Sequence, residues 1–211
     1  MKLKTDVSLL LDLDRTLVDV QSYTSYEAAV ADVEREMGTI ELVGVPDTEW
    51  RSATVTAMAT LVALTGDPER WQQASDLIEE HEIAAVASAR AMKGLRRFLA
   101  ATSTMPRAIV TLMGQSATRQ VCERFQIDVA VQVGRSVELA PKPAPDQVLR
   151  ACRLLDVVPD EAVMVGDSTW DLSAASAAGA GFVGLTNGRL SEFPRGTKVA
   201  TSLNAVLAEL R

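Results

Sequence analysis

Asp12 and Asp14 are spaced by one residue, and Thr16 follows two positions later. An apolar run, Val7-Ser8-Leu9-Leu10-Leu11, leads straight into them. Two carboxylates held side by side repel each other unless a cation or a shared proton compensates. One carboxylate of such a pair can act as a nucleophile and the other as a general acid and base. Three more polar groups occupy comparable places. Thr111 ends Ala108-Ile109-Val110, and Lys142 sits within Pro141-Lys142-Pro143-Ala144-Pro145. Asp167 and Asp171 follow Val163-Met164-Val165-Gly166. A hydroxyl and a lysine suit a crowded anion, and further carboxylates suit a hard cation such as Mg2+. Together these groups fit phosphoryl transfer.

Such groups must be brought together by strands. A nearly continuous apolar run reads as a strand buried on both faces, as in parallel sheets, whose ligands bind at the carboxyl ends. Residues 92–211 alternate short apolar strands with helices: a helix over 94–101, strands at 107–111 and 127–133, and a helix over 116–125. A helix over 145–155, a strand at 162–165, a helix over 170–178 and a strand at 181–185 follow. The last helix covers 203–210, capped by Thr201 or Ser202. Residues 19–91 read as helical throughout. Tyr23, Tyr26, Val30, Val33 and Met37 share one helical face. Gly44-Val45-Pro46-Asp47 reads as a turn, with Asp47 or Thr48 as N-cap for a helix running from Trp50 to Gly66. Asp67-Pro68 restarts the helix as N-cap and N1. The expected architecture is α/β: a Rossmann-like three-layer core with a parallel sheet, formed by residues 1–18 and 92–211. An α-helical cap, residues 19–91, is inserted after the first strand.

The 211 residues carry a net charge of −7, which disfavours nucleic acid and anionic membranes as partners. No apolar stretch is long enough to span a bilayer, and the start lacks a signal-peptide pattern. Cys122 and Cys152 fall in helical patterns and are expected to be buried, reduced thiols, which points to the cytoplasm. His81, the sole histidine, is expected on an exposed helix face, and a zinc site is not expected. Trp50, Trp71, Tyr23 and Tyr26 are expected to build the core of the cap.

The four polar clusters resemble the four motifs of the haloacid dehalogenase superfamily, in its phosphatase branch with a helical cap, close to the phosphoglycolate-phosphatase-like group. Asp12-Leu13-Asp14-Arg15-Thr16 matches the first motif, Thr111 the second, Lys142 the third, and Asp167 with Asp171 the fourth. The resemblance implies Mg2+-dependent hydrolysis of a small phosphate monoester through an aspartyl phosphate. Asp12 would be the nucleophile and Asp14 the acid and base. Thr111 and Lys142 would bind the phosphoryl group, and Lys142 would also shield Asp12. Asp12, Asp167 and the backbone carbonyl of Asp14 would hold the metal, with Asp171 ligating through water or orienting the others. Thr16 would brace the loop by hydrogen bonding. The chain departs from the pattern twice: many relatives have Gly at Arg15 and Asn at Leu112. Arg15 is therefore expected to point toward the cap or the substrate. A phosphomutase of the same fold is the alternative, then a phosphate-ligand-binding protein without turnover. A dehalogenase would not need Asp14 or a metal, and a receiver domain lacks the helical insertion. The partner expected is a small phosphorylated metabolite, bound by a monomer or homodimer.

Overall fold

A computed structural model describes residues 7–43 and 53–210. The expected turn at 44–47, its caps Asp47 and Thr48, and Trp50 lie outside the described residues. The chain begins with strand β1 (Ser8–Leu11) and a short strand β2 (Val18–Asp19), then a 3-10 turn over Gln21–Tyr23. Helices α1 (Tyr26–Met37), α2 (Ala53–Ala63) and α3 (Pro68–Val86) follow, then strand β3 (Arg90–Ala91). Next come α4 (Leu95–Ala101), β4 (Arg107–Val110), α5 (Gln115–Phe125), β5 (Val131–Val133) and α6 (Asp146–Leu155). The chain closes with β6 (Ala162–Gly166), α7 (Thr169–Ala178), β7 (Gly181–Leu185), β8 (Val199–Ala200) and α8 (Leu203–Glu209).

Six strands form one parallel sheet in the order β5-β4-β1-β6-β7-β8. Alternate residues of a strand face opposite sides, and β1 shows the result. Leu9 and Leu11 pack in a core with α4, α5 and α8, whereas Leu10 packs on the other face with α6 and α7. Both faces are therefore covered by helices, as the uninterrupted apolar run requires. After β1 the core strands step outward through β4 and β5, then cross to β6 on the other flank. The strand order reverses around β1, which places a crevice at its carboxyl end.

Helices α1, α2 and α3 pack around Tyr26, Ala29, Met58, Leu61, Trp71 and Ile78. Asp67 caps α3 as expected, its Oδ1 accepting from Arg70 N at 3.2 Å, with Pro68 in the first turn. Ser202, rather than Thr201, caps α8. Cys122 and Cys152 are both buried and unbridged.

Several expectations need correction. The stretch 19–91 is not helical throughout: Val18–Asp19 pairs antiparallel with Arg90–Ala91, so a two-strand ribbon joins the ends of the helical block. Two-residue strands are too short for periodicity to reveal. The strand expected over 127–133 occupies only Val131–Val133, and β8 was not foreseen. Tyr23 is exposed and stacks beneath Arg90 instead of joining the helical core. His81 is half-buried, with Nε2 2.7 Å from Asp32 Oδ2 across the α1–α3 contact. Among the described residues, no helix is long and apolar enough to cross a membrane.

Candidate active site

Strand β1 delivers Asp12 to the crevice. Asp12 N extends the ladder by donating to Val165 O at 2.9 Å, and the residue is only 6% exposed. Asp14, two positions on, faces the same cleft. Its Oδ1 accepts from Val20 N at 2.8 Å and Gln21 N at 3.0 Å, so the turn after β2 clamps this carboxylate. Between Asp14 and Thr16 the backbone turns sharply, with Arg15 at φ 58°, a region L side chains seldom adopt. Two contacts hold that conformation: Arg15 N donates to Val18 O at 2.7 Å, and Asn187 Nδ2 donates to Arg15 O at 2.6 Å. The Arg15 side chain does not line the cleft. Its Nε lies 3.9 Å from Asp167 Oδ2, beside Arg189, whose Nη2 donates to the same oxygen at 2.7 Å.

The remaining groups arrive from neighbouring strand ends. Thr111 follows β4 and is buried, and its Oγ1 accepts from Met113 N at 3.3 Å. Lys142 is 2% exposed, and all three ammonium directions are used. Nζ donates to Asp12 Oδ1 at 2.9 Å, to Asp171 Oδ1 at 2.5 Å and to Val110 O at 3.1 Å. Asp171, 1% exposed, spends its other oxygen on Ser168, accepting from the backbone N at 3.1 Å and from Oγ at 2.6 Å. Ser168 caps α7 in return, forming a capping box. Asp171 is therefore a buried, fully engaged acid rather than a solvated first-turn one. Gly166 must be glycine here, because a Cβ would lie 2.5 Å from the Asp171 carboxyl. Thr16 departs from expectation: it is fully buried, and its Oγ1 makes no hydrogen bond among the described residues.

Burial sets the proton affinities. It pushes the Asp12 carboxyl well above the ordinary carboxylate range; Lys142 opposes that and Asp171 reinforces it. Burial also pushes Asp14 up to about 7, against the two backbone N–H donors. Asp167 rises to about 6 by burial and the nearby Asp171 charge, with Arg189 and Arg15 pulling it down. Burial alone would lower Lys142, but the charges of Asp12 and Asp171 hold it above the ordinary lysine range. Asp14 is thus poised near neutrality, where proton transfer in either direction is efficient.

Asp12, Asp167 and Asp171 each present a carboxylate oxygen within 4.8 Å of the others. An all-oxygen, acidic donor set suits a hard divalent cation such as Mg2+. Both Asp171 oxygens are already engaged, so Asp12 and Asp167 are the better placed of the three.

A cleft opens over these residues. Its floor is Asp12, Asp14, Thr111, Lys142, Asp167 and Asp171, and its walls include Gln21, Tyr26, Thr54 and Met58 from the helical side. Tyr26 is buried in the helical core, as expected, and also lines the cleft. Gln147 was not foreseen at all. Its Oε1 accepts from Lys142 N at 3.3 Å, and its Nε2 donates to Thr111 O at 2.8 Å and Gly134 O at 3.0 Å. A buried Gln in the first turn of α6 thereby ties the lysine loop to the threonine loop. An amphipathic helix pattern marks it only as one more polar residue.

A family model for haloacid dehalogenase-like hydrolases matches residues 8–179. The chain belongs to this family. A haloacid dehalogenase-like hydrolase domain-containing protein of Arabidopsis thaliana is 30% identical over 117 residues, 54% of this chain and 47% of that protein. A beta-phosphoglucomutase of Mycobacterium bovis is 33% identical over 103 residues, 46% of this chain and 39% of that enzyme. The matched segment thus spans less than half the length of either relative. Among solved structures, a predicted phosphoglycolate phosphatase from Haemophilus somnus superposes with TM-score 0.69 at 18% identity, over 99% of this chain and 100% of that one. CbbY from Rhodobacter sphaeroides, solved with phosphate, gives TM-score 0.67 at 20% identity, over 93% and 94%. At such identities these two likenesses speak for the haloacid dehalogenase-like fold alone.

Proposed function

We propose that this haloacid dehalogenase-like protein is a phosphatase that hydrolyses a small phosphate monoester through an aspartyl phosphate. The observation that carries the reading is the pairing of two acids with opposite tasks. Asp12 is bound at 2.9 Å to a buried lysine, while Asp14 pairs with no cationic side chain among the described residues and is poised near 7. A carboxylate oxygen of Asp12 attacks phosphorus, and the bond from phosphorus to the ester oxygen breaks. Asp14 gives its proton to the departing oxygen. Asp14 then takes a proton from water, whose oxygen attacks phosphorus and displaces Asp12. Thr111 and Lys142 bind the phosphoryl oxygens, and Lys142 favours the ionised form of Asp12, opposing its burial. Asp12 and Asp167, with the Asp14 carbonyl, would hold Mg2+, and Asp171 orients Lys142. When bound, the metal supplies positive charge to the phosphoryl oxygens.

Residues 19–91 serve as the cap that closes over the leaving group and excludes water, and residues 1–18 and 92–211 as the core. Arg15 acts on Asp167 rather than on substrate in this reading. The substrate is a small phosphorylated metabolite, and the two buried thiols agree with a cytoplasmic home. The test is phosphate release from an aryl phosphate with Mg2+. Asp12→Asn abolishes it if the reading is right; substantial turnover in that variant contradicts it.

The likeness to a beta-phosphoglucomutase favours one second reading, transfer of the phosphoryl group back to a sugar. Product analysis separates the two: a mutase yields an isomeric sugar phosphate and little free phosphate.

A further inference from the structure

Away from the reacting groups, one buried acid on α3 joins the helical block to the core. Glu82 is fully buried. Its Oε1 accepts from Arg135 Nη1 at 2.6 Å and from Tyr26 Oη at 3.3 Å, and its Oε2 accepts from Gly114 N at 2.9 Å. Arg135, 5% exposed, continues the network. Nη1 also donates to Leu112 O at 3.0 Å, while Nε and Nη2 donate to Ser75 Oγ and Ser75 O, both at 2.9 Å. One helical turn before Glu82, Glu79 Oε1 accepts from Ser116 N at 2.6 Å and Ala117 N at 2.9 Å, so the helical block caps α5 of the core. Gly114 makes this approach possible: a Cβ there would lie 2.3 Å from the Glu79 carboxyl.

The segment so gripped is the one that follows Thr111. Leu112 O, Gly114 N and the start of α5 are each held by Arg135 or by an acid of α3. The same Glu82 carboxylate also holds Tyr26, a wall of the cleft. A buried ion pair is a poor device for stability, because apolar residues of like volume serve as well or better. What this pair does that apolar residues cannot is aim the Leu112 carbonyl, the Gly114 N–H and one phenol at fixed positions. We propose that Glu82, acting with Arg135, is a positioning residue for phosphoryl binding, setting the Thr111 loop against the Tyr26 wall. The inference rests on the phosphatase reading above.

Three proteins decide it: wild type, the volume-conserving Glu82→Gln, and the paired replacement E82M/R135M. Each is melted, assayed with p-nitrophenyl phosphate and Mg2+ well below its melting temperature, and titrated with inorganic phosphate as a competitive inhibitor. The paired variant leaves no buried charge unpaired but removes the partners of Gly114 N, Leu112 O and the Tyr26 phenol, so it is expected to melt below wild type while still folding. Its phosphate Ki rises about tenfold and its kcat/KM falls by a similar factor. The pH dependence set by Asp14, which Glu82 does not touch, stays in place. A paired variant with wild-type Ki and kcat/KM overturns the proposal, because Glu82 is then a joint only. Should the pair not fold, Glu82→Gln decides alone: a Ki raised about tenfold supports positioning, and a wild-type Ki overturns it. A wild-type protein that neither binds phosphate nor turns over overturns the phosphatase reading as well, which separates the two failures.

Discussion

The sheet edge and the helical block meet at one cleft, yet they treat buried acids in opposite ways. At the sheet edge Asp12, Asp167 and Asp171 crowd within reach of one another, and a single buried lysine serves two of them. Burial raises Asp12, Asp14 and Asp167 above their ordinary range. In the helical block Glu82 is buried as deeply but meets a guanidinium, a backbone N–H and a phenol. The first arrangement calls for more positive charge, and the second is complete within the protein. Burial of an acid therefore does not mark a reactive centre; the shortage of donors and cations around it does.

Breaking the first arrangement should have the larger consequences. Asp12→Asn is expected to lower phosphate release by about a thousandfold or more, measured as free phosphate from an aryl ester, because the amide is not a competent nucleophile. Asp14→Asn is expected to cost about 10²–10⁴-fold. The loss should be greater for an alkyl than for an aryl ester, whose oxygen departs without help. For alkyl esters limited by the first step, wild-type rate falls as pH rises past about 7, where Asp14 loses its proton, and that limb vanishes in the variant.

The same group links pH to stability. Asp14 holds its proton more tightly folded than unfolded, with an ordinary value of 3.8 rising to about 7. The folded state therefore binds more protons between those limits, and the contribution of Asp14 to stability is lost as pH rises through them. Melting of metal-free protein should show Asp14→Asn gaining on wild type over that window, by roughly 2–4 kcal/mol at most. Lys142→Met leaves two buried carboxylates without their cation, with an expected loss of about 3–5 kcal/mol in denaturant melts. Met58→Ala, by contrast, widens a wall without touching the reacting groups. KM for alkyl esters of different size should shift by about tenfold or less, with the ranking of substrates changed.

The sequence revealed the sheet edge better than the block above it, for a physical reason. A strand buried on both faces must be apolar, so Leu9-Leu10-Leu11 and Val163-Met164-Val165 stand out, and the first polar residue past each is aimed at the crevice. Asp12, Thr111 and Asp167 could be read in this way, Asp14, Lys142 and Asp171 only through the motif pattern, and the fold brings all six to one cleft. Helical periodicity gives only a buried face. It could place Tyr26 inside but not against the cleft, and it could not connect Glu82 with Arg135, which lies 53 residues away. Gln147 escaped for the same reason, since its partners come from three separate loops. Arg15 shows the reverse: its departure from the family pattern was visible, but its direction was not. Only the fold brings Asp167 and Asn187 beside it and accounts for a side chain where backbone geometry favours glycine.

The central claim is that Asp12 becomes covalently phosphorylated. Asp14→Asn should trap that state when given Mg2+ and p-nitrophenyl phosphate labelled with 32P, because the aryl oxygen leaves unaided while hydrolysis stalls. After acid quench, label is expected on the peptide containing Asp12, released by hydroxylamine, and absent when Asp12 is also replaced by Asn. Label on another residue, or phosphate release by wild type with no labelled protein in the trap, would contradict the account.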